Sequence, residues 1–164
     1  MIMNWGATPQ ERAATLPCDG LAPTAQTRAD RAISIDAPPA IVFGWLCQLR
    51  VAPYSYDLLD NFGRRSPRTR DLGLTQLATG QRFMELFELQ SFVDGAHITL
   101  RAGRVTVTYA VRPDDSGSRL HVRVLFDGPH LIGWALALGD VVMMRKQLLT
   151  LRELAEKEAS TIRS

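Results

Sequence analysis

The spacing of apolar residues along the chain changes near Gly80. Before this point, Val42, Trp45, Leu46 and Leu49 repeat at intervals of three and four residues, which predicts one buried side of a helix. After it, apolar and polar residues alternate, which is typical of strands with one buried face. The chain is therefore predicted to combine helices with a sheet.

Short elements are predicted near the N-terminus. Thr8 precedes a proline and stands three positions before a glutamate, which is the pattern of a capping box at the start of a helix. This helix is expected to end near residues 16–17, and Cys18 to Gln26 is predicted to be a linker. We therefore expect residues 1–26 to form an N-terminal extension with a short helix, followed by a domain over residues 27–164.

The predicted domain begins with one strand and two short helices. Residues 28–36 read as a strand that carries Ile33 and Ile35 on one face. Two prolines then start the helix described above, which is expected to run to about Leu49. Residues 55–61 are predicted to form the second short helix, capped by a serine.

The alternating part of the chain predicts an antiparallel meander. Apolar residues occupy every second position in Val105 to Val111 and again in Leu120 to Phe126, and Asp114 to Gly117 provides a hairpin turn between them. Two or three further strands fit between Gln81 and Ala102. Because the alternate positions are polar, one face of the sheet is expected to face solvent.

The other face of the sheet needs a cover, and the C-terminal segment from about residue 130 to 158 is the long helical candidate. Its apolar stripe consists of Ala137, Val141, Met144, Leu148, Leu151 and Ala155. The fold class is therefore predicted to be α+β, of the helix-grip type. In this fold a curved antiparallel sheet, here of six or seven strands, wraps around a long C-terminal helix.

Several stretches of sequence carry a resemblance to a known superfamily. They are Trp5-Gly6-Ala7-Thr8 with Glu11, 16–19 (LPCD), 35–39 (IDAPP), 42–49 (VFGWLCQL), 54–61 (YSYDLLDN), 63–67 (GRRSP) and 143–148 (MMRKQL). The chain resembles the polyketide cyclase/dehydrase and lipid-transport superfamily, also called SRPBCC or START-like, in a largely uncharacterised subgroup. This resemblance implies the helix-grip fold and an internal cavity.

The resemblance does not imply a reaction, because members of the superfamily include lipid carriers, hormone-binding proteins, cyclases and co-chaperones. Three hypotheses follow. The first is non-catalytic binding or transport of a small hydrophobic ligand, such as a lipid, a polyketide or an aromatic metabolite. The second is a polyketide cyclase or dehydratase that uses the same cavity, and the third is a protein-interaction module without a ligand. The first is preferred because the pattern places polar pairs outside the sheet or at helix starts.

Composition and motifs limit the classes of partner that this protein is expected to bind. A formal net charge of +2 and the lack of a nucleic-acid motif argue against a polyanion partner. Three scattered histidines and two scattered cysteines offer no metal-ligand spacing, so no metal and no cofactor are predicted. The sequence shows neither a signal peptide nor a segment that could span a membrane, and a cytoplasmic location is expected. The sequence is also compatible with a homodimer.

Seven aromatic and methionine side chains are predicted to border the ligand, since rigid rings beside flexible thioethers suit an apolar cavity. They are Trp45, Tyr54, Tyr56, Phe87, Tyr109, Met143 and Met144. Tyr109 brings a hydroxyl into an apolar interior, where a hydroxyl needs a partner. That partner could be a ligand or a neighbouring backbone group.

Other polar groups have two interpretations each. Asp57 and Asp60 could be paired carboxylates, although a helix start and a pairing with Arg64 explain them more simply. The basic run from Arg64 to Arg70 could meet an anionic ligand or lie in a solvated loop. Alternation places the remaining candidates, His97, Arg101 and His121, on the solvent-facing side of the sheet, and His130 lies near the start of the last helix.

Overall fold

The computed structural model of the protein describes residues 4–50, 71–84, 86–115 and 117–163, without the side chains of residues 72, 130, 131 and 133–143. The predicted helix at 55–61 lies outside the described residues. Within them, no helix is both long enough and apolar enough to cross a membrane.

Within the described ranges, the sheet has seven strands in the order β1-β2-β7-β6-β5-β4-β3. Their bounds are Asn4–Trp5, Thr27–Ile35, Arg82–Phe83, Phe87–Val93, His97–Ala102, Val105–Asp114 and Gly117–Phe126 for β1 to β7. All neighbouring strands are antiparallel except β1, which pairs parallel with β2 at the edge. The predicted meander is therefore confirmed, and β1 is an additional strand from the N-terminal segment.

Four α-helices lie in the described residues: α1 Pro9–Ala13, α2 Pro17–Leu21, α3 Pro39–Cys47 and α4 His130–Arg163. Short 3-10 turns occupy Gln48–Arg50 and Leu72–Thr75. The long C-terminal helix and the helix after the two prolines are thus confirmed, which gives the α+β, helix-grip arrangement.

The N-terminal elements confirm one prediction and correct another. The capping box is present, since the Glu11 N–H donates to Thr8 Oγ1 at 3.1 Å and the Thr8 N–H donates to Glu11 Oε2 at 2.8 Å. The prediction of a linker from Cys18 to Gln26 is wrong in its first part, because the helix Pro17–Leu21 occupies it. Pro17 supplies the first turn, and Asp19 Oδ2 accepts the Leu16 N–H.

The hairpin between β6 and β7 has the predicted turn. Asp114 pairs with Gly117, and Asp115 adopts a positive φ of 49°, a conformation that two-residue hairpin turns require. Gly117 also lies against β2. A Cβ at this position would lie 2.3 Å from the Ile35 carbonyl oxygen, so only glycine allows the strands to approach here.

The inner face of the sheet packs against α3 and α4 around an apolar core. On α4, the predicted stripe residues Met144, Leu148, Leu151 and Ala155 are all buried. The side chains of the two earlier stripe positions, 137 and 141, lie outside the described residues.

The prediction that the other face is open to solvent is wrong for the part of it that the N-terminal segment covers. Residues of the N-terminal segment lie on this outer face, where Thr99, Thr108, His121 and Arg123 are buried. The Cys18 N–H donates to Thr108 Oγ1 at 3.1 Å, and the Thr108 and Thr99 hydroxyls are 2.8 Å apart. Alternating polarity shows only that the two faces differ, and polar side chains can be buried where partners are supplied.

Candidate functional site

One row of paired residues crosses the inner face of the sheet. Trp5 of β1 pairs with Arg31 of β2, Arg31 with Val122 of β7, Val122 with Tyr109 of β6, and Tyr109 with Ile98 of β5. Directly paired residues of neighbouring strands project to the same face of a sheet. The row therefore places a guanidinium and a phenol among apolar side chains.

Arg31 is the unexpected member of this row. It is fully buried and shares the inner face with Ile33, two positions further along β2. The remaining described charged side chains that are buried, Glu11, Asp30 and Arg123, lie on the outer face. Arg31, Ile33 and Ile35 are two positions apart along β2, so they project to the same face of the sheet. The same period of two in the sequence could therefore have indicated that Arg31 faces inward.

The Tyr109 hydroxyl has a partner on α4. Tyr109 is 1% exposed, and its hydroxyl donates to Gln147 Oε1 at 2.7 Å. The Gln147 amide in turn donates to the Met84 sulfur at 3.4 Å. The Gln147 side chain is therefore a partner of this hydroxyl. The sequence pattern did not predict this buried polar pair, because Gln147 lies on the face of α4 that was predicted to be apolar.

Tyr109→Phe is expected to lower the free energy of unfolding by about 1–3 kcal/mol, since the buried Gln147 amide loses a donor. Tyr109→Phe combined with Gln147→Met should cost less than the sum of the two single changes. Urea denaturation of the four proteins measures this coupling. Additive losses would contradict the pairing. An unchanged stability of Tyr109→Phe with weaker ligand binding would instead assign the hydroxyl to the ligand.

The other predicted ligand-contacting residues are distributed as follows. Trp45 of α3 and Met144 of α4 are buried in the core that joins the helices to the sheet, and Phe87 at the start of β4 is half-buried against it. Tyr54 and Tyr56 lie outside the described residues, as does the side chain of Met143. Trp45, Met144, Phe87 and Tyr109 therefore contribute to one apolar cluster.

The outer face carries a buried ion-pair network centred on Asp30. Its carboxylate accepts from His121 Nε2 at 2.8 Å, Arg123 Nε at 2.9 Å and Arg28 Nε at 3.0 Å. The expectation that His121 faces solvent is therefore wrong, since it is 2% exposed beside Asp30. Burial by itself raises the pKa of Asp30, but the hydrogen bonds from His121 and Arg28 and the charge of Arg123 outweigh it and lower the pKa.

A second buried carboxylate joins the N-terminal segment to the strands. Glu11 Oε1 accepts from Arg119 Nε and from Arg112 Nη2, both at 2.7 Å. Burial raises the pKa of Glu11, but the hydrogen bonds from Arg119, from the Thr8 backbone and from Arg112 outweigh it, and the pKa lies well below its usual range. These contacts attach α1 to the outer face.

The remaining polar candidates do not form a catalytic group in the described structure. Arg101 is exposed, as predicted, whereas His97 is half-buried and its pKa is lowered by burial. Asp57, Asp60 and the basic run 64–70 lie outside the described residues. Among the residues that are described, no cluster of three or more His, Cys, Asp or Glu side chains could hold a metal ion.

Solved structures similar to this chain share its fold at low sequence identity. SSP2350 from Staphylococcus saprophyticus is 14% identical, with a TM-score of 0.53, and the match covers 77% of this chain and 89% of that one. XoxI from Bacillus cereus is 13% identical, with a TM-score of 0.54 and coverage of 79% and 96%. NE0264 from Nitrosomonas europaea is 14% identical, with a TM-score of 0.53 and coverage of 81% and 96%.

No protein-family model and no curated protein matches the chain. At these identities the solved structures establish the arrangement of strands and helices and nothing about ligands or reactions. The evidence for function therefore comes from the inner face itself.

Proposed function

We propose that this protein binds a small, mostly apolar molecule between the inner face of the sheet and α4, without altering it chemically. One observation carries the proposal. Among the mostly apolar side chains of the inner face, two fully buried polar side chains, Arg31 and Tyr109, lie in one row, and the second is bonded to Gln147 of α4.

This arrangement is the usual composition of a small-molecule site, in which apolar walls carry a few well-placed polar groups. A core that served stability alone would do better with apolar residues, because burying polar groups is costly even when they find partners. The resemblance of the sequence to the SRPBCC or START-like superfamily supports the same conclusion. We further propose that residues 1–26 form an extension and residues 27–164 the binding domain.

Binding is favoured over the cyclase or dehydratase alternative by the chemistry of these groups. An arginine remains protonated in proteins, a tyrosine has an ordinary pKa near 10, and a glutamine amide does not titrate. The two histidines whose side chains are described, His97 and His121, both belong to the outer face. The described inner face is therefore suited to holding a molecule rather than to acid–base catalysis.

The proposed lining combines the row with the apolar cluster around it. Trp45 and Met144 are the described aromatic and thioether walls, Phe87 lies at the β3–β4 end, and Tyr54, Tyr56 and Met143 complete the proposed set. Val122 lies in the row between Arg31 and Tyr109, so its side chain is the closest apolar neighbour shared by both.

The neutral dye N-phenyl-1-naphthylamine tests this proposal, because its fluorescence rises in apolar surroundings. We expect saturable binding at one site per chain and displacement by dodecanol. Val122→Phe should weaken dye binding by about tenfold, since the larger ring fills space between the polar groups. Val93→Phe is the matched control, because the same change is made at a side chain that is 53% exposed, and it should leave binding unchanged.

Three results would contradict the proposal. They are the absence of saturable dye binding to the wild-type protein, dye binding by a folded Val122→Phe variant equal to that of the wild type, and an equal loss in Val93→Phe. Native mass spectrometry of the protein purified from its own cells adds an independent measurement, with a co-purifying apolar molecule as the expected result.

A further inference from the structure

We infer that a surface depression at one end of the sheet is a second binding site, which holds the phosphate group of a small molecule between Arg101 and Arg104. The depression has a volume of about 430 Å³. Its lining consists of Gln26, Arg101, Arg104, Asp127, Gly128 and Pro129. None of these residues belongs to the lining proposed above, so the inference does not depend on the proposed function.

The two arginines of the depression are available to an anion. Within the described residues, neither Arg101 nor Arg104 forms an ion pair with a carboxylate, although Glu88 is the cross-strand neighbour of Arg101. The outer-face network is different, because its arginines are paired with Glu11 and Asp30. Both arginines of the depression are exposed, so an anion can reach them from solvent.

Backbone contacts position both guanidinium groups before a ligand arrives. The Arg101 Nε donates to the Gly103 carbonyl oxygen at 3.3 Å, which leaves its two terminal nitrogens for another acceptor. The Asp127 N–H donates to the Arg104 carbonyl oxygen at 3.0 Å, which joins the β5–β6 hairpin to the loop before α4. A Cβ at Gly128 would lie 3.2 Å from Arg104 Nη1, so the glycine leaves space for this guanidinium. Such positioning reduces the entropy lost on binding.

The charges around the depression favour an anion. Asp127 is the single acid in the lining, and its carboxylate accepts from the Thr24 hydroxyl at 3.0 Å. The two guanidinium groups exceed this charge. Gly128 and Pro129 directly precede α4, whose first turn carries the positive end of the helix dipole. The summed field therefore raises the local concentration of anions.

Two guanidinium groups match a phosphate better than a carboxylate. One guanidinium can donate two parallel N–H bonds to the two oxygens of a carboxylate, which leaves the second guanidinium without an acceptor. A phosphate monoester has three terminal oxygens and nearly two negative charges at neutral pH, so it can bind both. A depression of about 430 Å³ also has room for an organic body beside the phosphate. The expected ligand class is a phosphomonoester.

Three aromatic probes of similar size test this assignment: phenyl phosphate, benzoate and benzylamine. Each is titrated into the ¹⁵N-labelled protein at low ionic strength, and the Nε–H signals of the arginines are followed by nuclear magnetic resonance. We expect phenyl phosphate to shift the signals of Arg101 and Arg104 with a Kd of about 1 mM, because the groups are exposed to solvent. Benzoate should bind at least about threefold more weakly, and benzylamine should not bind.

Arg101→Met and Arg104→Met should each weaken binding of phenyl phosphate at least about fivefold, since each removes one of the two forks. Arg145→Met is the matched control, because it removes the same charge from an exposed position on α4, about 22 Å along the helix axis from its first residue. It should leave binding unchanged. Circular dichroism checks that the variants are folded.

Asp127→Asn tests the sign of the charge that the depression accepts. The substitution removes the single negative charge of the lining, while the amide oxygen can still accept from the Thr24 hydroxyl. We expect phenyl phosphate to bind about threefold more tightly to this variant. Weaker binding would overturn the inference, because it would indicate that Asp127 attracts the ligand.

Other results would also overturn the inference. They are the absence of saturable shifts at Arg101 and Arg104, binding of benzoate as tight as that of phenyl phosphate, and equal losses in all three Arg→Met variants. The proposed function is tested separately, since Arg104→Met should bind N-phenyl-1-naphthylamine as the wild type does. Failure of the dye to bind would overturn that function and leave the phosphate site standing.

Vesicles identify the source of the phosphate group. Vesicles of phosphatidylcholine with added phosphatidic acid present a phosphomonoester on a membrane surface. Sedimentation of the protein with these vesicles, lost in Arg104→Met, would support the site and assign it to a lipid headgroup. Binding of phenyl phosphate without sedimentation would support the site and assign it to a water-soluble phosphomonoester.

Discussion

Arg123→Met is expected to lower the free energy of unfolding by about 3–5 kcal/mol, the usual cost of removing one partner from a buried ion pair. Arg123 is fully buried and donates to Asp30 at 2.9 Å and to Asp19 at 2.7 Å. It also donates to the carbonyl oxygens of Ala14, Glu11 and Arg12. The substitution would leave a buried carboxylate with fewer donors and would release these backbone oxygens of the N-terminal segment at the same time.

Arg112→Met is the matched control for this change. Arg112 also binds a buried carboxylate, at 2.7 Å from Glu11, but its side chain is 53% exposed. Exposed cations contribute little because water and salt screen them, so the expected loss is less than about 1 kcal/mol. Urea denaturation followed by circular dichroism measures both variants. Equal losses in the two proteins would show that the buried network does not hold the N-terminal segment in the way the contacts indicate.

Acid is expected to destabilise the protein strongly, through Glu11 and Asp30. The pKa of each is lowered in the folded protein, so each carboxylate stabilises the fold above its unfolded pKa of about 4. That contribution is lost progressively as the pH falls below this value, because the unfolded chain takes up the protons first. Two such groups together are expected to contribute a few kcal/mol, measured by urea denaturation between pH 6 and pH 2.

Glu11→Gln isolates one of the two carboxylates. The variant should be less stable than the wild type at pH 6, and its stability should fall less steeply as the pH is lowered, since one proton-binding group is gone. Glu153→Gln, at an exposed position on α4, should keep the wild-type slope. An unchanged slope in Glu11→Gln would mean that this carboxylate does not distinguish the folded from the unfolded chain.

Both predictions concern how the N-terminal segment is attached. A small apolar cluster of Cys18, Ala22 and Leu125 lies beneath it, but most of the named contacts are hydrogen bonds and ion pairs. Such contacts stabilise the fold less than apolar packing of equal volume would. Hydrogen bonds and ion pairs are directional, however, so they fix the relative positions of the groups that they join. The network therefore fixes where α1 and α2 lie on the sheet more than it raises the stability of the sheet.

The sequence by itself determined the elements whose signals are local. A period of two predicts strands because successive side chains point to opposite faces, and this identified β5, β6 and β7. The capping box at Thr8 predicted α1, and the apolar stripe through Leu148 predicted that α4 covers the sheet. These features depend on residues within a few positions of one another, so the sequence displays them directly.

Only the tertiary structure decided what covers the outer face and which polar residues are buried. Glu11 and Arg112 are 101 positions apart, and nothing in either neighbourhood indicates that they meet. Arg31 shows the same limit within a single strand. The alternation of its strand is compatible with the inner face, but a charged side chain is usually exposed. Only the pairing with Trp5 on one side and Val122 on the other shows that Arg31 is enclosed. A charged side chain can be buried only where distant strands enclose it, and the order of those strands is a property of the folded chain.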